Sequence, residues 1–395
     1  LPRKGDQIHF YPAIPSGVTN IVARNFDLDA DGGKGEFKDG ATGKTYSVTD
    51  SESGKWAETP VTLGNDDNRL SRDEVIDKYA EYIPTLLTFT RSGRVQTAFP
   101  STTATSLATL TTGTLPGAHG MLGYTVRVPR SNGRILNALK WDDRVDPTYW
   151  QPVPTLFERA TAAGVNVSHV AAKRYENTGF TQAVFRGATY RGANVVDELV
   201  AQTKLALAKS PALVYLYMND LDSAGHSDGV GSDKWLAALT MLDHMAKQLI
   251  IELPKGTRIW LTSDHGMVNV EEKIVMGRDN QLLTGIATIA GEPRARHLYL
   301  DEALDSASAR NEVKSRWEEF LGDRADIYTR EDALSAGLFG PNPTADTFDR
   351  MGEIIAIAKG GLILIEEERE SLEGSMVGHH GGVTDIEVEI PLLLA

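Results

Sequence analysis

Val214-Tyr215-Leu216-Tyr217-Met218-Asn219-Asp220-Leu221-Asp222-Ser223-Ala224-Gly225-His226 is an apolar run whose exit carries a carboxylate and an imidazole. Its first part, 213–218, reads as a buried strand. A second stretch repeats the pattern. Ile259-Trp260-Leu261-Thr262-Ser263-Asp264-His265-Gly266-Met267 ends a short apolar strand in adjacent Asp264 and His265, and Gly266 permits a tight turn. Around these two, the spacing predicts helices over 154–163, 195–209 and 235–253 and strands over 165–170 and 258–261. Strands alternating with helices of about ten or more residues imply right-handed crossovers. The fold class that follows is α/β, a mostly parallel central sheet flanked by helices on both faces. In such sheets, functional side chains gather along the edge where strands end.

Outward from this core the chain changes character. Residues 1–75 are rich in Gly, Asp, Ser and Thr, and read as an irregular N-terminal region or short strands. Ser71-Arg72-Asp73-Glu74 resembles a capped helix start leading into a helix broken near Pro84. A short strand over 95–99 then precedes a Ser/Thr/Ala-rich helix from Thr103 to near Gly113. The expected core covers 76–276 and 373–395. Residues 277–372, with short strands and a helix over 307–321, read as a smaller cap or insertion.

With 41% hydrophobic and 24% charged residues in 395, the chain can bury a sizeable core. A net charge of −14 disfavours a nucleic-acid duplex as partner, which needs clustered Lys and Arg, but permits small anionic substrates where bound cations reverse the local field. There is no cysteine, so metal ligation falls to His, Asp and Glu. The chain starts Leu1-Pro2-Arg3 with no basic segment followed by an apolar run, and no stretch reaches about 18 consecutive apolar residues. A soluble protein without a membrane span is expected, with the cytoplasm slightly favoured and the compartment otherwise open.

A third cluster, Gly378-His379-His380-Gly381-Gly382, lies before Ile386-Glu387-Val388-Glu389-Ile390, whose alternation reads as a strand. Carboxylates with imidazoles suit zinc first, then manganese or iron, and two such sets side by side would form a two-metal clamp on a phosphoryl group. One Asp-His pair after a strand is more often a hydrogen-bonded turn. Three His-and-glycine clusters are explained together by one metal centre. The stretch Phe99-Pro100-Ser101-Thr102-Thr103 places hydroxyls at a helix start, where backbone N–H groups favour a phosphate and a metal would favour the alkoxide. The same hydroxyls could instead cap the helix.

These fragments resemble the type I phosphodiesterase/nucleotide pyrophosphatase family of the alkaline phosphatase superfamily. The matching pieces are Pro100 to Gly120, with its Pro-x-x-Thr, Thr-Gly, Pro and His-Gly; Asp222-x-x-Gly225-His226; Ser263-Asp264-His265-Gly266-Met267; and His380-Gly381. The resemblance implies an alkaline phosphatase-like fold, Thr103 as nucleophile and a phosphothreonine intermediate. It implies two divalent metals: Asp222, His226 and His380 hold one, while Asp264, His265 and Thr103 contact the other. His380 is preferred to His379 because it precedes glycine. The stretch from Trp141 through Trp150 to Arg186-Gly187 is similar to a bacterial subgroup of the family.

Two features depart from that pattern. The family's apolar strand ending in Asp-Gly, which completes the second metal site, has no clean counterpart; Asp66 is the best substitute, with Asp67 and Asp50 as rivals. Where nucleotide-cleaving members carry an Asn that donates to a phosphate oxygen, this chain has Tyr124, whose phenol can also donate. The expected substrate is a small phosphodiester or nucleotide pyrophosphate. Phosphomonoester or phosphonate hydrolysis on the same site is the nearest alternative, and a noncatalytic metal- or phosphate-binding relative the more distant one. Asp27-x-Asp29-x-Asp31-Gly32 begins like a calcium loop but has Lys38 where the bidentate Glu belongs. His9, His119, His169, His244 and His297 read as structural, and Arg294-Ala295-Arg296-His297 as a solvated turn or an anion contact.

Overall fold

The computed structural model describes residues 20–25, 34–38, 45–49 and 57–62 as strands, and 76–93, 95–301, 306–341 and 343–395 with their side chains. The chain forms two units, Leu1–Arg69 and Leu70–Ala395. In the first, Asn20–Asn25 pairs antiparallel with Ala57–Thr62, and Lys34–Lys38 with Thr45–Thr49. Asp27, Asp29, Asp31, Asp50, Asp66, Asp67 and the Ser71 helix start lie outside the described residues.

In the second unit, the Ser/Thr/Ala-rich stretch forms α1 (Thr103–Thr112), closed by Gly113 in the left-handed region at φ 68°. Its small side chains let the helix sink into the core. Hydroxyls that burial would otherwise strand find acceptors: Thr105 donates to the Met121 carbonyl at 3.0 Å and Thr112 to the Ala108 carbonyl at 2.7 Å. Strand β1 (Asn166–Ala171) is almost wholly buried, Ser168 and His169 included, because β2 (Thr189–Gly192) and β3 (Ala212–Leu216) pair with it in parallel on either side. From β3 the chain turns into α2 (Asp220–Asp228) and then the 20-residue α3 (Asp233–Glu252).

The next strand, β4 (Trp260–Thr262), pairs antiparallel with Leu392–Leu394. A cleft of about 830 Å3 lies between β3 and β4, which do not pair with each other among the described residues. Parallel pairing thus covers β1 to β3, and Glu272–Met276 with Leu362–Glu366, within several small sheets rather than one continuous sheet. After β5 (Val268–Asn269) comes a four-stranded antiparallel sheet of β6 (Ile286–Glu292), β7 (Ala295–Leu300), β8 (Ala325–Thr329) and β9 (Ile354–Ala358), in the order β6-β7-β9-β8. Helix α4 (Ala307–Leu321) lays Val313, Trp317 and Leu321 onto that core, four residues apart and so on one face.

The last segment differs from its sequence pattern. Residues Asp385–Val388 form a helical turn, and only Glu389–Ile390 is extended. A reciprocal cap between Thr384 and Glu387 starts the turn, and the Glu387 carboxylate is consumed by a fully buried bidentate pair with Arg294 at 2.8 and 2.7 Å. Local capping chose the backbone, and burial departs from the alternation as well, with Ile386 exposed and Glu387 buried. No helix among the described residues is long and apolar enough to cross a membrane.

Three buried histidines set an acid limit on the fold. Burial pushes His119 and His169 down to about 3, and burial with the Arg330 charge pushes His297 to about 4, from 6.5. The unfolded imidazoles take up protons near pH 6.5 and the folded ones do not. Their contribution is therefore complete above about pH 6.5 and is lost as pH falls toward 4, at roughly 1.4 kcal/mol per pH unit for each ring. The urea midpoint is expected to drop between about pH 7 and pH 5. An unchanged midpoint would show that these rings accept protons within the fold.

Candidate metal centre and nucleophile

Four chain segments converge on one place. The β3–α2 connection carries Asp222 and His226 one helical turn apart, so both project from the same face of α2. The loop after β4 carries Asp264 and His265. Short β10 (Gly378–His379) pairs antiparallel with β5, setting His379 opposite Val268 and delivering His380 beside the His265 loop. The first residue of α1 is Thr103. Close approach of β10 to α2 requires glycine at Gly378, where a Cβ would lie 2.5 Å from the Gly225 carbonyl oxygen.

The three histidines are anchored alike. The His226 Nδ1–H donates to the Gly378 carbonyl at 2.8 Å, the His265 Nδ1–H to the Gly266 carbonyl at 2.8 Å, and the His380 Nδ1–H to the Ser101 carbonyl at 3.0 Å. These bonds assign the tautomer and leave every Nε2 facing the carboxylates. His226 Nε2 lies 3.5 Å and His380 Nε2 3.8 Å from Asp222 Oδ1; His265 Nε2 lies 3.7 Å from Asp264 Oδ2. The Thr103 hydroxyl is 3.1 Å from His265 Nε2. The His265 and His380 rings stack with centroids 3.7 Å apart, which joins the two halves of the cluster.

These donors fit divalent cations. Ligand atoms of Asp222, His226 and His380 all lie within 4.8 Å of one another. Both Asp222 Oδ1 and Asp264 Oδ2 are buried without a hydrogen-bond partner, an unfavourable arrangement that a cation would relieve. Imidazole nitrogen with carboxylate oxygen is a donor set suited to zinc, manganese or iron.

Electrostatics point the same way. Burial and then the Asp264 charge raise the Asp222 carboxyl, against the pull of His226 and His265. Burial opposes a charge on His265, yet Asp264, Asp222 and the Gly266 carbonyl outweigh it and hold the ring above its ordinary value. Burial followed by the charges on His265 and His226 pushes His380 well down. Protons and metal ions therefore compete for the Nε2 atoms.

Thr103, Asp222, His226, Asp264, His265 and His380 are thus brought together, whereas Asp66 lies outside the described residues. His379 turns away, with Nε2 bonded to the Glu373 carbonyl at 2.9 Å. Neither Thr102, at the N-cap position, nor Thr103 uses its hydroxyl to cap α1; Ser101 instead donates to the Gly382 carbonyl at 2.7 Å and accepts from the Gly381 amide at 3.2 Å. Tyr124 enters through its main chain, whose amide donates to Glu292 at 2.6 Å.

The Arg294–His297 stretch is no solvated turn. Arg294 and Arg296 are fully buried, paired with Glu387 and Glu373. Two participants escaped sequence reasoning, Ser101 and Glu292. The signal for Glu292 was a charged pair flanking Pro293 inside an apolar run, Ile286 to Leu300.

The profile of the family described as type I phosphodiesterase / nucleotide pyrophosphatase matches residues 72–383, well over half of the chain. An ectonucleotide pyrophosphatase/phosphodiesterase of Caenorhabditis elegans is 24% identical over 297 residues, 74% of this chain and 34% of that protein, so the chain spans about a third of this relative. Among solved structures, murine ectonucleotide pyrophosphatase/phosphodiesterase 5 superposes with a TM-score of 0.62 at 17% identity, over 80% of this chain and 84% of that one. Phosphonoacetate hydrolase from Sinorhizobium meliloti 1021, with phosphonoformate bound, gives 0.61 at 19% identity, over 82% and 86%. These two likenesses are of fold, and the fold they share with the chain is α/β. On the extent of the profile match, the chain belongs to the type I phosphodiesterase / nucleotide pyrophosphatase family, within the alkaline phosphatase superfamily.

Proposed function

We propose that the chain hydrolyses small phosphoesters, with phosphodiester or nucleotide pyrophosphate bonds as its preferred substrates, and that Thr103 is the nucleophile. The observation that carries this reading is the Thr103 hydroxyl at the start of α1, 3.1 Å from His265 Nε2 and beside the Asp222–His226–His380 cluster. Asp222, His226 and His380 would hold one divalent cation, zinc by preference. Asp264, His265 and Thr103 would hold another, with Asp66 as the proposed fourth ligand. When bound, the cations supply positive charge that favours the threonine alkoxide and the phosphoryl oxygens.

The residues of the chain do the rest. The Thr103 hydroxyl lies within hydrogen-bond distance of His265 Nε2, which holds the attacking oxygen beside the imidazole cluster. Thr102 makes no side-chain cap, so first-turn amides of α1 would be available to phosphoryl oxygens bound at the helix start. Thr103 Oγ1 forms a bond to phosphorus as the bond to the leaving oxygen breaks; water then cleaves the phosphothreonine and restores the hydroxyl. Residues 277–372 serve as the cap over this core.

With zinc-loaded protein, bis-p-nitrophenyl phosphate is expected to be cleaved in preference to p-nitrophenyl phosphate, both followed by the same chromophore. Cleavage of neither ester would overturn the reading.

A further inference from the structure

The tip of the β6–β7 hairpin inserts Glu292 beside the nucleophile. Its Oε1 accepts the Tyr124 amide at 2.6 Å, and the carboxyl lies beside the Thr102 hydroxyl, one residue before Thr103. Two glycines make room for it: a Cβ on Gly123 would lie 3.3 Å from both carboxyl oxygens, and one on Gly381, next to His380, would lie 3.2 Å from the Glu292 Cβ. The residue is 3% exposed, and its Oε2 is buried with no hydrogen-bond partner. Among the described residues it forms no ion pair, whereas the neighbouring Arg294 and Arg296 are committed to Glu387 and Glu373.

Arg296 and His265 draw on the Glu292 charge only from beyond ion-pair distance, so the buried carboxylate still projects a negative field onto the start of α1. That is where the proposed phosphoryl group would lie. We propose that Glu292 is a specificity-determining residue that repels the second negative charge of a phosphomonoester and so selects monoanionic phosphodiesters. The inference rests on the phosphoester reading above and names the substrate charge that the site accepts.

Glu292→Gln removes the charge, keeps the side-chain shape and leaves an oxygen to accept the Tyr124 amide; Glu292→Asp keeps the charge. The test compares kcat/KM for p-nitrophenyl phosphate and bis-p-nitrophenyl phosphate at about pH 8.5, far above the ordinary carboxylate range. In Glu292→Gln the monoester-to-diester ratio is expected to rise about tenfold, with the diester rate changing less, while Glu292→Asp keeps the wild-type ratio. An unchanged ratio in Glu292→Gln, or equal loss of both esters, overturns the proposal. Calorimetry with inorganic phosphate on the same zinc-loaded proteins gives a readout independent of turnover. Tighter phosphate binding by Glu292→Gln, about tenfold, supports the charge effect, and equal binding overturns it. If the wild-type protein cleaves neither ester, the phosphoester reading fails on its own, and the phosphate comparison still decides the role of Glu292.

Discussion

Thr103→Ala is expected to lower kcat for bis-p-nitrophenyl phosphate by about 10³-fold or more, with the fold intact and the Asp222–His226–His380 site still able to bind metal. The fold survives for local reasons. Thr103 occupies the first position of α1, where its side chain is half-buried, and the backbone there follows a separate N-cap residue, Thr102. Alanine is also the better helix former. The loss on the stability side is one hydrogen bond to His265, about 1 kcal/mol. The loss on the catalytic side is the only hydroxyl seen within hydrogen-bond distance of the His265 ring among the described residues. Thr103→Ser should keep part of the rate, because it keeps the attacking oxygen. Steady-state kinetics beside circular dichroism would check this, and a Thr103→Ala protein with wild-type turnover would remove the nucleophile from the account.

Asp222→Asn is expected to have two effects of opposite sign. Zinc affinity at the first site should fall by at least about 100-fold, the upper end of what outer-shell partners usually contribute, since a direct ligand loses its charge. The metal-free protein should unfold at the same or a higher denaturant concentration. Asp222 Oδ1 is buried without a partner, and burial together with Asp264 raises its carboxyl, so the native state already disfavours the ionised form. A site that strains the empty fold in order to hold a cation has this signature. Chelator-competition titration with parallel urea denaturation reads both quantities. Loss of stability without loss of zinc affinity would mean that Asp222 is a structural hydrogen-bond acceptor.

Much of this was legible in the sequence because the chemistry lies in short segments. Asp222 and His226 stand four apart, Asp264 and His265 are adjacent, and His380 precedes a glycine, so each half of the cluster could be read from a few residues. Helices with full amphipathic length, such as α3 and α4, also matched their periods closely. What could not be read is how the imidazoles are held, since the carbonyls of Gly378 and Ser101 lie 152 and 279 positions from the histidines they anchor. Backbone acceptors carry no side-chain signal. Burial of Arg294 and Glu387 was likewise invisible, because a charged residue announces solvent until its partner, 93 positions away, is known. The reciprocal Thr384–Glu387 cap turned the alternating stretch around Glu387 into a helical turn. Completion of the second metal set by Asp66 remains a proposal from the sequence.

We propose a two-cation centre built on Thr103, Asp222, His226, Asp264, His265 and His380 that cleaves phosphoesters. Its most direct test is to strip the protein with chelator, return zinc in increments, and follow bound metal by elemental analysis against hydrolysis of bis-p-nitrophenyl phosphate. Activity is expected to rise with zinc and to level off at about two ions per chain. Full binding of two ions with no diester cleavage, or cleavage unaffected by removing all metal, would contradict it.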